Sequence, residues 1–191
     1  MNFDNAFLDA IGALVWNPAT GVLMALLAVA AWIDWRTYRI PNWLTLGGMV
    51  WGLASSAAMG YSLVDGLLFG LAGLTLGLAL FLPLWLLRVM GAGDVKLMAM
   101  VGAYVGAWGV FKAALIVGVV GGIAVIAFAL VHRASGRLAT NMKDIAASMV
   151  IPGMPLWRPE LAGSSIGKLP YGVSIAVGSV AYLVLRQVGL A

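Results

Sequence analysis

The chain has 191 residues, of which 63% are hydrophobic and 9% are charged. A soluble domain carries about 25% charged residues, so this composition excludes an ordinary soluble protein and indicates an integral membrane protein. The net charge of +4 follows from membrane anchoring and implies no nucleic-acid partner. The chain contains no cysteine, which excludes disulfides, a cysteine nucleophile and cysteine-ligated zinc.

Continuous apolar runs are long enough to cross about 30 Å of hydrocarbon as helices, and they lack the alternation of barrel strands. We predict an all-α integral membrane protein, a polytopic bundle of about six transmembrane helices in one domain over residues 1–191. The predicted spans are Pro18–Trp35, Trp43–Gly60, Gly66–Leu87, Val95–Trp108, Val110–Val131 and Pro170–Val188. The fourth span is short and the turn after it is tight. Residues 132–168 are predicted to form a short interfacial helix and a proline-punctuated connector.

Glycine pairs four residues apart recur in these spans. Small residues let helix backbones approach closely in a membrane, so the pairs predict tight packing, within the chain rather than between copies. The pairs are Gly48/Gly52, Gly66/Gly70, Gly73/Gly77, Gly102/Gly106 and Gly118/Gly122.

The basic residues fall unevenly on the two ends of the predicted bundle. With the N-terminus outside, Lys112 and Arg186 are the outer ones. The inner ends and loops hold Arg36, Arg39, Arg88, Lys96, Arg133, Arg137, Lys143, Arg158 and Lys168. Because inner loops carry an excess of lysine and arginine, this distribution predicts a multi-pass membrane protein with its N-terminus outside.

Two polar breaks each place an aspartate at the edge of a span. Asp34 ends the first span and Asp94 opens the fourth. Counting crossings puts both on the inner side, slightly below the interface because both spans are short. An ionisable group at that depth costs several kcal/mol unless it has a partner, which makes it a functional-site hypothesis.

Two carboxylates brought together in such a place cannot both ionise cheaply, so one stays protonated while the other is charged. The charged one can take a proton from a water that attacks a peptide carbonyl, and the protonated one can donate to the oxyanion or leaving amine. Asp34 and Asp94 are therefore candidate catalytic residues of an aspartic protease, which requires no metal or cofactor. The sequence leaves open which aspartate plays which part.

Other residues near the two breaks are candidates for substrate binding or support. Gly91 and Gly93 leave room for an extended substrate beside Asp94. Pro41 restrains Asn42, which is placed to begin the second span as a cap. The remaining candidates are Lys96, Pro170, Tyr171 and Gly172.

For some of these residues two interpretations stay open. Lys96 either favours the ionised form of Asp94 or contacts the substrate, or it is an interfacial lysine that snorkels. Tyr171 either hydrogen-bonds within the site or anchors its span at the membrane surface. Asp94 alone could be a helix cap, and Asp34 alone could pair with a neighbouring arginine, Arg36 or Arg39, both of which are better explained as topogenic anchors.

Three segments occur in a characteristic order: Asp34 with Ile40-Pro41-Asn42, then Gly91-Ala92-Gly93-Asp94-Val95-Lys96, then Leu169-Pro170-Tyr171-Gly172-Val173. Together they resemble the type IV prepilin peptidase family, aspartic membrane proteases of the Gly-x-Gly-Asp type. The resemblance implies that the two aspartates are the catalytic pair and act at the cytoplasmic face. It implies as substrates pilins or pilin-like subunits, whose short basic leader ends in glycine just before a hydrophobic helix, and contact with pilus assembly machinery.

Larger members of that family carry an extra N-terminal cytoplasmic domain with paired cysteines and also methylate the new N-terminus. This chain has no cysteine and lacks that domain, so we expect a single transmembrane peptidase domain without N-methyltransferase activity. In size it resembles the short peptidases of tight-adherence (Flp) pilus systems.

Two other classes of protein remain as alternatives. A small proton- or cation-coupled transporter also uses paired intramembrane carboxylates, but transporters usually place them near the midplane. A non-catalytic membrane scaffold would use the glycine-rich packing surfaces and would leave both aspartates unexplained.

Overall fold

The computed structural model describes residues 12–131 and 170–190, and in these ranges it contains helices and turns but no strand. Its main helices are α1 (Pro18–Thr37), α2 (Asn42–Met59), α3 (Leu63–Leu86), α4 (Ala92–Val131) and α5 (Tyr171–Gln187). Three segments are long and apolar enough to cross a membrane, namely α1, α3 and the part of α4 from Ala92 to Phe128. The protein is therefore an all-α membrane protein, as predicted.

Local capping signals begin two of the helices. Asn17 Oδ1 accepts a hydrogen bond from the Ala19 N–H at 3.0 Å, with Pro18 at the first position of α1. Ser62 Oγ accepts from the Asp65 N–H at 3.1 Å and so caps α3. α2 and α5 begin without any side-chain cap of this kind, because proline precedes each of them.

α4 is a pair of helices joined at Gly106, whose φ of 74° and ψ of −180° break the helix. Forty helical residues would extend about 60 Å, twice the hydrocarbon thickness, so an unbroken α4 would not fit a bilayer. Its first half packs against α3, and its second half packs against α5, where Val117 faces Gly178. Because Phe128 returns to the end at which Asp94 begins the helix, the chain reverses at Gly106. The prediction of a short fourth span and a tight turn is confirmed.

Most of the glycine pairs lie at helix contacts within the chain, as expected. A Cβ on Gly48 or Gly52 would strike side chains of α4, and Gly66, Gly70, Gly73 and Gly77 lie close to backbone atoms of α2 or α4. Gly102 and Gly106 lie against α3, and Gly106 is also the helix break. One pair departs from the prediction, because outside the backbone of its own helix no described atom lies within 4 Å of a Cβ built on Gly118 or Gly122.

We expect Gly102→Ala to destabilise the bundle, because a methyl group there would overlap the Gly73 carbonyl of α3. Forcing an extra methyl into a packed contact typically costs about 1–3 kcal/mol. Thermal unfolding in detergent measures the loss, with Gly118→Ala as the control in the same helix, where the added methyl meets open space. Equal melting temperatures for the two variants would contradict the packing role of Gly102.

The helix directions place the described basic residues as the charge pattern predicts. Arg36, Arg39 and Lys96 belong to the end of the bundle where α1 finishes and α4 begins, and Arg186 belongs to the opposite end of α5. The predicted interfacial segment and Arg133, Arg137, Lys143, Arg158 and Lys168 lie outside the described residues. Which end faces the cytoplasm stays a prediction from the charge distribution.

Candidate active site

Asp34 lies on the buried face of α1. The buried residues of this helix are Ala19, Leu23, Leu27, Ala30 and Asp34, spaced three or four apart, so the carboxylate continues an apolar stripe that faces the other helices. Its side chain is only 5% exposed. In the described residues no ion pair joins Asp34 to Arg36, whose guanidinium lies over the Trp32 ring at 4.6 Å.

The Asp34 carboxylate supplies the cap that α5 lacks. Pro170 precedes α5 and offers no side-chain acceptor, which would leave the first N–H groups of the helix without partners. The Gly172 N–H donates to Asp34 Oδ2 at 2.8 Å, and the Val173 N–H also lies close enough to stabilise negative charge there. The late Pro-Tyr-Gly segment therefore holds the first aspartate in position through backbone contacts.

This contact requires glycine at position 172. A Cβ built there would lie 2.9 Å from Asp34 Oδ2 and 2.9 Å from Ile40 Cδ1. Both distances are shorter than ordinary van der Waals contact. Any larger residue would push α5 away from Asp34 or turn the carboxylate out of its place.

Asp94 is the third residue of α4 and is 7% exposed. Its Oδ2 accepts a hydrogen bond from the Gly91 N–H at 3.0 Å, and its own N–H donates to the Gly91 carbonyl at 3.1 Å. An acidic residue at the third position that binds back to the residue before the helix is half of a capping box. The helix-cap interpretation is therefore correct as local structure, and it orients the carboxylate.

The two aspartates line one cavity of about 230 Å³. The fold thus brings together two aspartates that are sixty positions apart in the sequence. The cavity is lined by Asp34, Tyr38, Arg39, Ile40, Gly91, Ala92, Gly93 and Asp94. In residues 12–131 and 170–190, no cluster of three or more side chains of the kind that binds a metal ion is present.

Gly91 and Gly93 have different surroundings. Among the described atoms, a Cβ on Gly91 would have the Asp94 carboxylate at 3.3 Å and nothing else within 3.4 Å, so this side of the turn is open. A Cβ on Gly93 would lie 3.1 Å from Ile40 Cβ. The space beside Gly93 is occupied by the chain itself, so Gly93 permits the contact between the two polar breaks.

The expectation that Asn42 caps α2 is wrong. Pro41, with φ of −71° and ψ of 141°, is the residue before the helix, and α2 begins at Asn42 without a side-chain cap. The Asn42 side chain is turned elsewhere, because its Oδ1 accepts a hydrogen bond from Lys96 Nζ at 2.8 Å.

Tyr171 begins α5 and is half-buried beside the site. With Pro170, it lines a second cavity of about 300 Å³. Trp35 and Phe128 also line this cavity, whose walls are almost entirely apolar. Asp34 lines the first cavity and Trp35, the next residue in the chain, lines the second.

Sequence reasoning missed several residues of the cavity wall. Tyr38 lies in the left-handed region, with φ of 51°, and ends α1 by donating its N–H to the Asp34 carbonyl at 2.8 Å. Arg39 and Ile40 follow it into the wall of the cavity. One feature of the sequence could have indicated these residues. The polar break after Asp34 is short, so a sharp turn must join the end of α1 to a helix that begins at Asn42.

Comparison with known proteins bears on residues 21–126, which match the model of the type IV leader peptidase family. This match includes Asp34, Asp94 and Lys96 and leaves out α5. A curated relative, the prepilin leader peptidase/N-methyltransferase of Dickeya chrysanthemi, is 32% identical over 141 residues, which is 65% of this chain and 47% of the relative. This chain thus aligns with about half the length of that relative. No solved structure matches this chain. Since the family model covers more than half of the sequence, the chain belongs to the type IV leader peptidase family.

Proposed function

We propose that the protein is an aspartic endopeptidase that removes the short basic leader from type IV prepilins or pilin-like subunits at the cytoplasmic face of the inner membrane. The observation that carries this proposal is the cavity shared by two buried, backbone-held carboxylates, Asp34 and Asp94, within a chain of the leader peptidase family. The name of the curated relative supports a prepilin as the substrate.

The hydrogen bonds of the site support an activated-water mechanism. The backbone N–H groups of Gly172 and Gly91 donate to Oδ2 of the two carboxylates and so hold both side chains at the cavity. The charged carboxylate takes a proton from a water molecule while the oxygen of that water bonds to the carbonyl carbon of the substrate. The protonated carboxylate then donates to the amine as the peptide C–N bond breaks. Fixed orientation matters because general acid and base groups act only within hydrogen-bond reach of the moving proton.

The two adjoining cavities suit a substrate that changes from polar to apolar at the cut. The cavity with the aspartates contains polar and charged groups, and the one beside Trp35 and Tyr171 is apolar. A leader in the first and the start of a hydrophobic helix in the second would place the joining peptide bond beside Asp34. Arg39 also lines the first cavity, so the attraction for a basic leader is weaker than two carboxylates alone would give.

A proton- or cation-coupled transporter is less well supported by the position of the aspartates. Asp34 lies about one turn from the end of α1, and Asp94 lies in the first turn of α4. A carrier site is expected nearer the middle of the spans.

We expect the purified protein in detergent to convert a pilin precursor with a short basic, glycine-ending leader into the mature pilin. Mass spectrometry of the product tests the cut and, with a methyl donor present, also tests for an added N-methyl group. We expect the mass of the unmethylated mature pilin, because the chain has no cysteine with which to build the paired-cysteine domain. An intact precursor would contradict the proposed peptidase, and a methylated product would contradict the expected absence of methyl transfer.

A further inference from the structure

Two chain segments form facing walls of the active-site cavity and are joined at two points. One is the connection between α1 and α2, of which residues 38–40 line the cavity, and the other is the start of α4 with the turn before it, of which residues 91–94 line the cavity. Ile40 packs on Gly93, where a Cβ would lie 3.1 Å from Ile40 Cβ. Beyond that contact, Lys96 Nζ donates to Asn42 Oδ1 at 2.8 Å across 54 positions of sequence.

We propose that Lys96 and Asn42 form a positioning pair that holds these two walls together, and that Lys96 acts through Asn42 rather than on Asp94 or on the substrate. This inference rests on the proposed peptidase function. It assigns one role to two residues whose individual roles the sequence leaves open.

The helix geometry directs Lys96 away from Asp94. Residues two apart in an α-helix lie on nearly opposite faces and do not meet. Asp94 turns back to the Gly91 N–H, and in the part of the chain that the structure describes no ion pair joins Lys96 to it. The ammonium group of Lys96 therefore does not act through its charge on the Asp94 carboxylate.

The acceptor of this hydrogen bond belongs to another helix. Asn42 is the first residue of α2, two positions after Ile40, and its amide is free of any capping duty. A lysine that only snorkelled would extend toward headgroups along its own helix. Here the side chain crosses instead to another helix, so the first turns of α2 and α4 are tied together directly beside the cavity.

The effect on turnover is expected to be moderate, since one hydrogen bond on a partly exposed surface contributes little by itself. We expect Asn42→Ala and Lys96→Met each to lower kcat for cleavage of a basic-leader pilin precursor between about threefold and about tenfold, with little change in KM. The double variant is expected to be no slower than the slower single variant, because either change breaks the same bond. Lys96→Met keeps the apolar stem, and Lys112→Met is the matched control at an exposed lysine after the Gly106 break, with cleavage as in the wild type.

Conservative variants keep the proposal testable if Lys96→Met fails to fold in detergent. Lys96→Arg and Asn42→Asp retain a donor and an acceptor, and we expect both to keep most of the turnover that Asn42→Ala loses. Three results would overturn the pair: additive losses in the double variant, a shifted pH profile in Lys96→Met but not in Asn42→Ala, or unchanged turnover in both single variants. In each of these cases the wild-type protein still cleaves, whereas no cleavage by the wild type overturns the proposed function and the pair with it.

Discussion

Replacing either Asp34 or Asp94 by asparagine is expected to abolish leader cleavage while leaving the bundle folded. An asparagine amide keeps the shape of the carboxylate, and its Oδ1 can still accept the hydrogen bond from Gly172 or Gly91. It can neither take a proton from water nor carry negative charge. Since general acid–base catalysis contributes about 10²–10⁴-fold for each group, each variant should lose cleavage by about 10³-fold or more.

The decisive measurement is the rate of conversion of a pilin precursor, followed beside the melting temperature of each variant in detergent. Asp65→Asn is the matched control, because Asp65 lies in the first turn of α3 at the other end of the bundle, where Ser62 contacts it. We expect wild-type cleavage from that variant. Cleavage retained by the asparagine variant at position 34 or 94 would exclude that aspartate from the chemistry.

Alanine at position 34 separates the structural role of Asp34 from its catalytic one. Alanine offers no acceptor, so the Gly172 N–H at the start of α5 would lose its partner. Loss of a helix cap costs about 0.5–2 kcal/mol, and we therefore expect Asp34→Ala to melt below Asp34→Asn, with both inactive.

Much of the fold follows from the sequence because the apolar runs are long and the chain is short. The predicted spans agree with the helices to within three residues at the ends that can be compared, from Pro18 at the start of α1 to Gln187 at the end of α5. A break within α4 was predicted between Trp108 and Val110, and the structure places it three residues earlier, at Gly106. One bilayer cannot hold both halves of α4 as a single straight helix. The surroundings of Gly118 and Gly122 were not predicted, because spacing within a helix does not reveal which face has a neighbour.

The two aspartates of the candidate site could be predicted from the sequence, but the hydrogen-bond partners of the site residues could not. Crossing number puts Asp34 and Asp94 at one end of the bundle, and the structure brings them to one cavity. Their partners could not be inferred in the same way, because the Gly172 N–H and the Asn42 amide are reached through contacts of 138 and 54 positions. One local signal was available: a helix that begins after Pro170 lacks a cap of its own and needs an acceptor from another helix.

The second large effect is expected from Gly172→Ala, which adds one methyl group between α5 and Asp34. The new Cβ would lie 2.9 Å from Asp34 Oδ2, so either the carboxylate rotates away or α5 withdraws its N–H. The first outcome moves the carboxylate relative to Asp94, and the second removes the hydrogen bond that holds it in place. Displacement of a catalytic group by about 1 Å can cost about 10²-fold in rate. We expect kcat for cleavage of the pilin precursor to fall by about that factor.

The same methyl group distinguishes a positioning role of Gly172 from general flexibility of its helix. Gly47→Ala is the matched control, because Gly47 lies in the half of α2 nearest the site and a Cβ there meets no described atom within 4 Å. Alanine is the better helix former by about 1 kcal/mol, so this control should melt at or above the wild-type temperature and cleave normally. Gly172→Ala should instead show a large fall in kcat with only a small fall in melting temperature, since a shift of the carboxylate leaves most of the bundle intact. A Gly172→Ala protein with wild-type kcat would show that the Asp34 carboxylate does not depend on the start of α5 for its catalytic position.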